Sequence, residues 1–161
     1  MKHIMRLMVF LAIACGPAAC GGHDGHGQHA DYTGKVQAVD AQTVSEWYGE
    51  GRSFRILDVR TEQEFGEDGH APLAELVTWS YQGQKAGVNE AFIETVPERF
   101  GKDETIVILC SLGMRATEAA YELQQQAGFT QVYVFPGGYE GHHMAGFPPG
   151  DGWRAAGLPM E

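Results

Sequence analysis

Residues 105–109, TIVIL, form an apolar run that ends on Cys110. Five residues are too few for a buried helix and suit a strand covered on both faces. Directly after the short segment Cys110-Ser111-Leu112-Gly113-Met114 comes RATEAAYELQQQAG. There Ala116, Ala120, Leu123 and Ala127 recur at helical spacing, and Gly128 supplies a stop. A strand that passes into a helix through so tight a loop is a βα unit, and the same alternation runs along the chain. VQAV (36–39) reads as a first strand, and Asp40 caps a helix over DAQTVSEWYGEG with Val44, Trp47 and Tyr48 on one face and Gly51 as its end. FRILDV (54–59) is a buried strand, and Thr61-Glu62-Gln63-Glu64 has the form of a capping box. ELVTW (75–79) and QVYVF (131–135) read as further strands. NEAFIETVPERF reads as a helix capped by Asn89, with Phe92, Ile93 and Val96 facing inward. Strands alternating with helices indicate an α/β domain with a mainly parallel sheet, in which sites lie at the carboxyl ends of strands. Cys110 occupies such an end.

The amino terminus has a different character. MKHIMR is basic, LMVFLAIA is a short apolar stretch, and small residues follow in ACGPAACGG. This is the three-part layout of an export signal and is too short for a stable membrane-spanning helix. Cys15 and Cys20 both follow small residues, as lipoprotein acceptor sites do. The expected organisation is an export signal over 1–20, a Gly/His-rich linker over 21–34 and one folded domain over 35–161. The expected location is the bacterial periplasm, with any membrane contact made through an N-terminal lipid anchor. His23, His26 and His29 recur in the linker, but no cysteine or carboxylate set accompanies them to close a metal site. The formal net charge of −10 argues against nucleic acid as a partner. Cleavage and lipidation of the amino terminus would leave Cys110 as the only thiol, exposed to oxidation unless buried or used.

A loop that runs from a strand into a helix aims several backbone N–H groups at one point, and the positive end of the helix dipole adds to them. Such a cradle stabilises an anion and is expected to lower a thiol pKa. Gly113 supplies backbone freedom, Ser111 a further donor and Arg115 a positive charge. Three readings stand: a buried structural cysteine, a phosphate-binding nucleophile and a sulfur carrier. The spacing is C-x4-R. A C-x5-R loop is wider and holds a tetrahedral phosphate, whereas the shorter ring fits a single sulfur atom carried on cysteine.

With these residues the chain resembles the rhodanese family, the single-domain sulfurtransferases. The resemblance rests on ILDVRTEQEF with GH downstream (56–65, 69–70), on TIVILCSLGMRATEAAYELQQQAGFTQVYVFPGGYEG (105–141) and on GWRAAGLP (152–159). It covers about residues 35–160. It implies a five-stranded, mainly parallel sheet with helices on both faces. It also implies transfer of sulfane sulfur from a small anionic donor such as thiosulfate to a thiol or cyanide, through a persulfide on Cys110. Ser111, Leu112, Gly113, Met114 and Arg115 form the anion-binding loop, and no metal or organic cofactor is required. Arg115 is expected to fix the loop and attract the donor. Asp58 and Arg60 are expected to brace it, through an Arg60–Glu64 pair or an Asp58–backbone contact. His70, at the family's GH position, reads as structural, Gly137 and Gly138 as a turn beside the loop, and Leu112 and Met114 as an apolar lip. His142 and His143 read as surface residues, and Trp79 and Trp153 as core or rim. The chain departs from the family in GHAPLAE and in the segments 80–92 and 141–152, which border the expected mouth. Competing readings are a rhodanese-like binding module without turnover, a phosphatase or arsenate reductase, and a metal-handling lipoprotein.

Overall fold

The computed structural model describes residues 32, 34–81, 87–141 and 150–161. The segment expected to be an export signal, nearly all of the expected linker with His23, His26 and His29, and His142 and His143 lie outside the described residues. Among the described residues no helix is long and apolar enough to cross a membrane.

Five strands form one sheet in the order β1-β5-β4-β2-β3, and every pairing is parallel. They are β1 (Gln37–Ala38), β2 (Arg55–Asp58), β3 (Glu75–Leu76), β4 (Ile106–Leu109) and β5 (Val132–Val134). The helices are α1 (Ala41–Gly49), α2 (Glu62–Glu67), α3 (Phe92–Arg99) and α4 (Met114–Glu122). The last turn of the alanine-rich helix, Leu123–Ala127, is π-helical and closes on Gly128. The central strand β4 is buried at every position, as its unbroken apolar sequence requires.

Strand periodicity divides the core between the two faces. Ile106, Ile108 and Cys110 pack on one face with Leu57, Val59, Val132 and Val134, beneath Phe92 and Val96 of α3 and Ala116, Ala119 and Ala120 of α4. Ile56, Val107 and Leu109 turn to the other face, against Val44 and Trp47 of α1 and the fully buried Trp153 of the C-terminal segment. Trp79 and Trp153 are therefore core residues. Parity places the Cys110 side chain under α4, the helix its own loop begins.

The capping residues behave as their chemistry dictates. Asp40 Oδ1 accepts from the Thr43 N–H at 2.8 Å. At α2, Thr61 and Glu64 form the reciprocal capping box. Two expectations are corrected. Only Glu75–Leu76 of ELVTW is strand, although the Val77 and Trp79 N–H groups still reach the Asp58 and Val59 carbonyls at 3.0 and 3.1 Å. Asn89 does not cap α3, whose N-cap is Ala91. Its amide instead donates to the Thr78 carbonyl at 2.8 Å, tying the helix entry to the chain that leaves β3.

The turn after β5 meets the loop after β4. The Tyr139 N–H donates to the Cys110 carbonyl at 2.9 Å and the Glu140 N–H to the Ser111 carbonyl at 3.0 Å. This approach leaves no room for a side chain at Gly138. A Cβ there would lie 2.3 Å from the Ser111 carbonyl oxygen and 2.4 Å from that of Cys110, at a φ of +57°. Gly138→Ala is therefore expected to cost at least about 1–3 kcal/mol in urea unfolding, with a matching loss of Cys110 chemistry as the loop is displaced.

Candidate functional site

Cys110 follows β4 directly and is 1% exposed. Its Sγ accepts the Gly113 N–H at 3.1 Å and the Ala116 N–H at 3.4 Å. Gly113 is the N-cap of α4 at a φ of +92°, a conformation that turns its N–H back toward the sulfur. Ala116 is the third residue of α4, so its N–H is one of the donors a helix start leaves unpaired. Thr117 closes the first turn, its N–H and hydroxyl both donating to the Gly113 carbonyl at 3.0 and 2.9 Å.

The expected lowering of the thiol pKa is corrected. Burial pushes the Cys110 thiol up, and the Ala116 N–H, the Arg115 charge and the Leu112 and Gly113 N–H groups offset only part of that. The groups that favour an anion are in place, but the sulfur sits at the floor of the loop, removed from water.

Arg115 does not face outward as a free positive charge. Its guanidinium makes a bidentate pair with the Glu64 carboxylate, Nη2 to Oε1 at 2.6 Å and Nη1 to Oε2 at 2.8 Å. Both groups are largely covered, at 10% and 20% side-chain exposure. Glu64 Oε2 also accepts from the Thr61 N–H at 3.0 Å and the Thr61 hydroxyl at 2.8 Å. Burial would raise the Glu64 carboxyl, but the hydrogen bonds from Arg115 and Thr61 prevail and hold it at about 2. The same carboxylate thus caps α2 and anchors the residue that ends the cysteine loop.

The expected Arg60–Glu64 pair is absent. Arg60 precedes the N-cap of α2, so helical spacing does not bring the two together. Arg60 is paired with Asp58, and both are buried, at 1% and 0% side-chain exposure. Asp58 accepts from Arg60 Nη2 at 2.8 Å, from Nε at 3.1 Å and from the Arg60 backbone N–H at 2.9 Å, the last being the expected Asp58–backbone brace. Arg60 Nη2 also donates to the Gly69 carbonyl at 2.8 Å, and the guanidinium lies 3.9 Å from the centre of the Tyr139 ring. The Tyr139 hydroxyl in turn accepts the Ala71 N–H at 3.1 Å. Among the described residues every buried side-chain nitrogen and oxygen has a partner.

His70 is structural. It stacks on Phe65 at 3.8 Å, and its backbone N–H and carbonyl pair with Glu161, both at 2.8 Å. Leu112 is 41% exposed while Met114 is partly buried, so Leu112 carries the outward apolar surface of the loop. Beside α2 lies a cleft of about 580 Å³ lined by Thr61, Glu62, Gln63, Glu64, Glu67, Asp68 and Tyr81. Among the described residues no cluster of histidine, cysteine and carboxylate side chains is arranged to hold a metal.

Sequence reasoning missed three participants. Ala116 acts through its backbone, which side-chain chemistry does not advertise. Glu64 was visible as a helix cap, but its second partner lies 51 residues away. Tyr139 follows the Gly137-Gly138 turn, and nothing in its sequence neighbourhood marks it as a partner of Arg60 or Ala71.

Two stability measurements follow from these pairs. Asp58→Ala leaves the Arg60 guanidinium buried without its counter-charge and is expected to cost about 3–5 kcal/mol in urea unfolding. The Glu64 carboxyl is depressed in the fold, from an ordinary value of 4.5 to about 2. Its contribution is therefore complete above pH 4.5 and is lost as pH falls through about 2. Urea unfolding between pH 7 and pH 2 is expected to show an acid limb on the order of 2 kcal/mol that flattens in Glu64→Gln.

The rhodanese-like domain model matches residues 40–145. The chain is 38% identical over 95 residues to thiosulfate sulfurtransferase 16, chloroplastic, of Arabidopsis thaliana, covering 58% of this chain and 78% of that relative. It is 31% identical over 121 residues to the Arabidopsis thaliana protein HIGH ARSENIC CONTENT 1, mitochondrial, covering 72% and 69%. Among solved structures, Rv0390 from M. tuberculosis superposes with a TM-score of 0.60 at 26% identity, covering 78% of this chain and 97% of that one. The cysteine loop, the parallel sheet beneath it and these likenesses agree, and the chain belongs to the rhodanese-like domain family.

Proposed function

We propose that the protein is a sulfurtransferase that carries sulfane sulfur as a persulfide on Cys110. The observation that carries this reading is the convergence of the Gly113 and Ala116 N–H groups on Cys110 Sγ, at 3.1 and 3.4 Å, within a C-x4-R loop. Relatives named thiosulfate sulfurtransferase support the reaction class.

The thiol proton leaves to solvent, and Cys110 Sγ attacks the outer sulfur of thiosulfate. The Sγ–S bond forms, the S–S bond of the donor breaks, and sulfite departs with the electron pair. The product is Cys110–S–S⁻, whose outer sulfur carries the charge. Loop N–H groups and the start of α4 stabilise that charge without reorganising, as preorganised donors do. A thiophilic acceptor then attacks the outer sulfur. Cyanide yields thiocyanate and restores the Cys110 thiolate, while a thiol yields a new persulfide. The cycle uses no metal or organic cofactor. The C-x4-R ring is smaller than a phosphate cradle, which disfavours phosphatase chemistry, and retention of both Cys110 and Arg115 disfavours a silent binding module. We also propose that the chain is exported to the periplasm as a lipoprotein, on the basic and apolar segments that precede Cys20.

The purified chain, mixed with thiosulfate, is expected to gain one sulfur on the Cys110 peptide by mass spectrometry and to lose it to cyanide with release of thiocyanate. Cys110→Ser should do neither. A folded, reduced protein that takes no sulfur from thiosulfate or from polysulfide would falsify the reading.

A further inference from the structure

We propose that Glu64 is a positioning residue of the sulfur-transfer site, one that holds the Arg115 guanidinium in place and takes up most of its charge, so that backbone N–H groups present the larger share of positive charge to the sulfur. The proposal rests on the sulfurtransferase reading and adds to it a residue that sets both the acidity of Cys110 and the grip on the donor.

The geometry leaves Arg115 little freedom. Two of its nitrogens are engaged by the two oxygens of one carboxylate, at 2.6 and 2.8 Å, and this planar fork fixes the guanidinium in orientation as well as in position. The carboxylate is itself held from behind by the Thr61 N–H and hydroxyl, at 3.0 and 2.8 Å. Arg115 is thus pinned to the start of α2, and the loop that ends on it is pinned with it.

Charge accounting points the same way. The Arg115 charge favours the Cys110 thiolate, but a carboxylate in contact with the guanidinium cancels most of that field a short distance away. The other groups nearby are already committed. Asp58 and Arg60 neutralise each other, and Tyr139 is kept in its neutral form by burial first and by Asp58 next. Glu62, Glu67 and Asp68 line the same cleft as Glu64 and add only negative charge. Neutralising Glu64 therefore leaves the Arg115 charge, which acts on Cys110, without its counter-charge.

The deciding variant is Glu64→Gln. Glutamine at this helix position preserves the capping box, and its amide oxygen still accepts one hydrogen bond from Arg115. A role limited to capping is therefore largely preserved while the charge is removed. The first readout is iodoacetamide alkylation of the Cys110 peptide as a function of pH, on the full chain, which needs no sulfur transfer. The expected result is a midpoint displaced to lower pH and a rate at pH 7 raised about three- to tenfold, because the thiolate fraction rises. The second readout is the split between KM for thiosulfate, expected to fall severalfold, and kcat, expected to fall as the loop loosens. Glu64→Asp keeps the charge and is expected to alkylate within about twofold of wild type. A wild-type alkylation profile and wild-type KM in Glu64→Gln, with only a lower Tm, overturn the proposal and leave Glu64 as a cap. Equal changes in the Gln and Asp variants overturn it as well, since they mark a packing effect. Should Glu64→Gln fail to fold, an Asp variant more than about threefold from wild type has the same force. A wild-type chain that takes up no sulfur defeats the sulfurtransferase reading, while the alkylation profiles still decide the role of Glu64.

Discussion

The buried pair of Asp58 and Arg60 is the interaction on which the rest of the site depends. Two charges removed from water carry a desolvation cost of several kcal/mol each, which their mutual attraction offsets only when the remaining donors and acceptors are also engaged. Here they are. Asp58 accepts three N–H groups, and Arg60 adds the Gly69 carbonyl and the face of Tyr139. The pair therefore joins the end of β2, the approach to His70 and the turn after β5. Tyr139 extends the chain of contacts, since its backbone N–H holds the Cys110 carbonyl and its hydroxyl holds Ala71. The cysteine loop is thus fixed from below by its own strand, from one side by the Gly138 turn and from the other by Glu64.

The sulfur lies where two effects oppose each other. Burial disfavours a charged Cys110, and the loop N–H groups favour it. For the resting thiol, burial prevails. In the proposed persulfide the charge moves to the outer sulfur, one bond farther from the packed floor beneath α4. In the proposed cycle the burial cost attaches to the atom that stays in place, and the outer sulfur would draw its stabilisation from the loop N–H groups around it. A site can in this way keep its thiol protonated, and so less open to oxidation, while still stabilising the intermediate.

Much of the fold was legible because its determinants are local. TIVIL announces the central strand, Asp40 and the Thr61–Glu64 box announce helix starts, and Gly128 announces a helix end. The C-x4-R loop was also readable from residue type and spacing, while the glycine turn that meets it and the structural reading of His70 follow from the resemblance to the rhodanese family. What escaped was non-local. The expected braces are an Arg60–Glu64 pair or an Asp58–backbone contact; the backbone contact forms, and the buried ion pair of Arg60 with Asp58 is one the sequence does not indicate. Arg115 was expected to draw in the donor, because nothing near it in sequence indicates the carboxylate it meets across 51 residues. The brevity of β3 is not written in ELVTW, since Val77 and Trp79 still bond to the Asp58 and Val59 carbonyls beyond it. The direction of the thiol pKa escapes the sequence because the loop pattern reveals the donors, whereas the depth of burial is set by packing against α3 and α4.

The surroundings constrain how an anion can be recognised at all. The chain carries a net charge of −10, and the cleft beside α2 is lined by Glu62, Glu64, Glu67 and Asp68. A long-range field of that sign repels a dianion, and at physiological salt it fades beyond about 8 Å. Attraction must then come from groups acting at contact distance, and the one side-chain cation of the loop is already paired with Glu64. Backbone dipoles are what remain. They are short in range and fixed in direction, and in a ring of this size they converge on a single atom. Such an arrangement discriminates by fit more than by charge. In the proposed sulfur transfer it would favour a donor that can present one sulfur to Cys110 over an equally charged tetrahedral anion that must be enclosed whole.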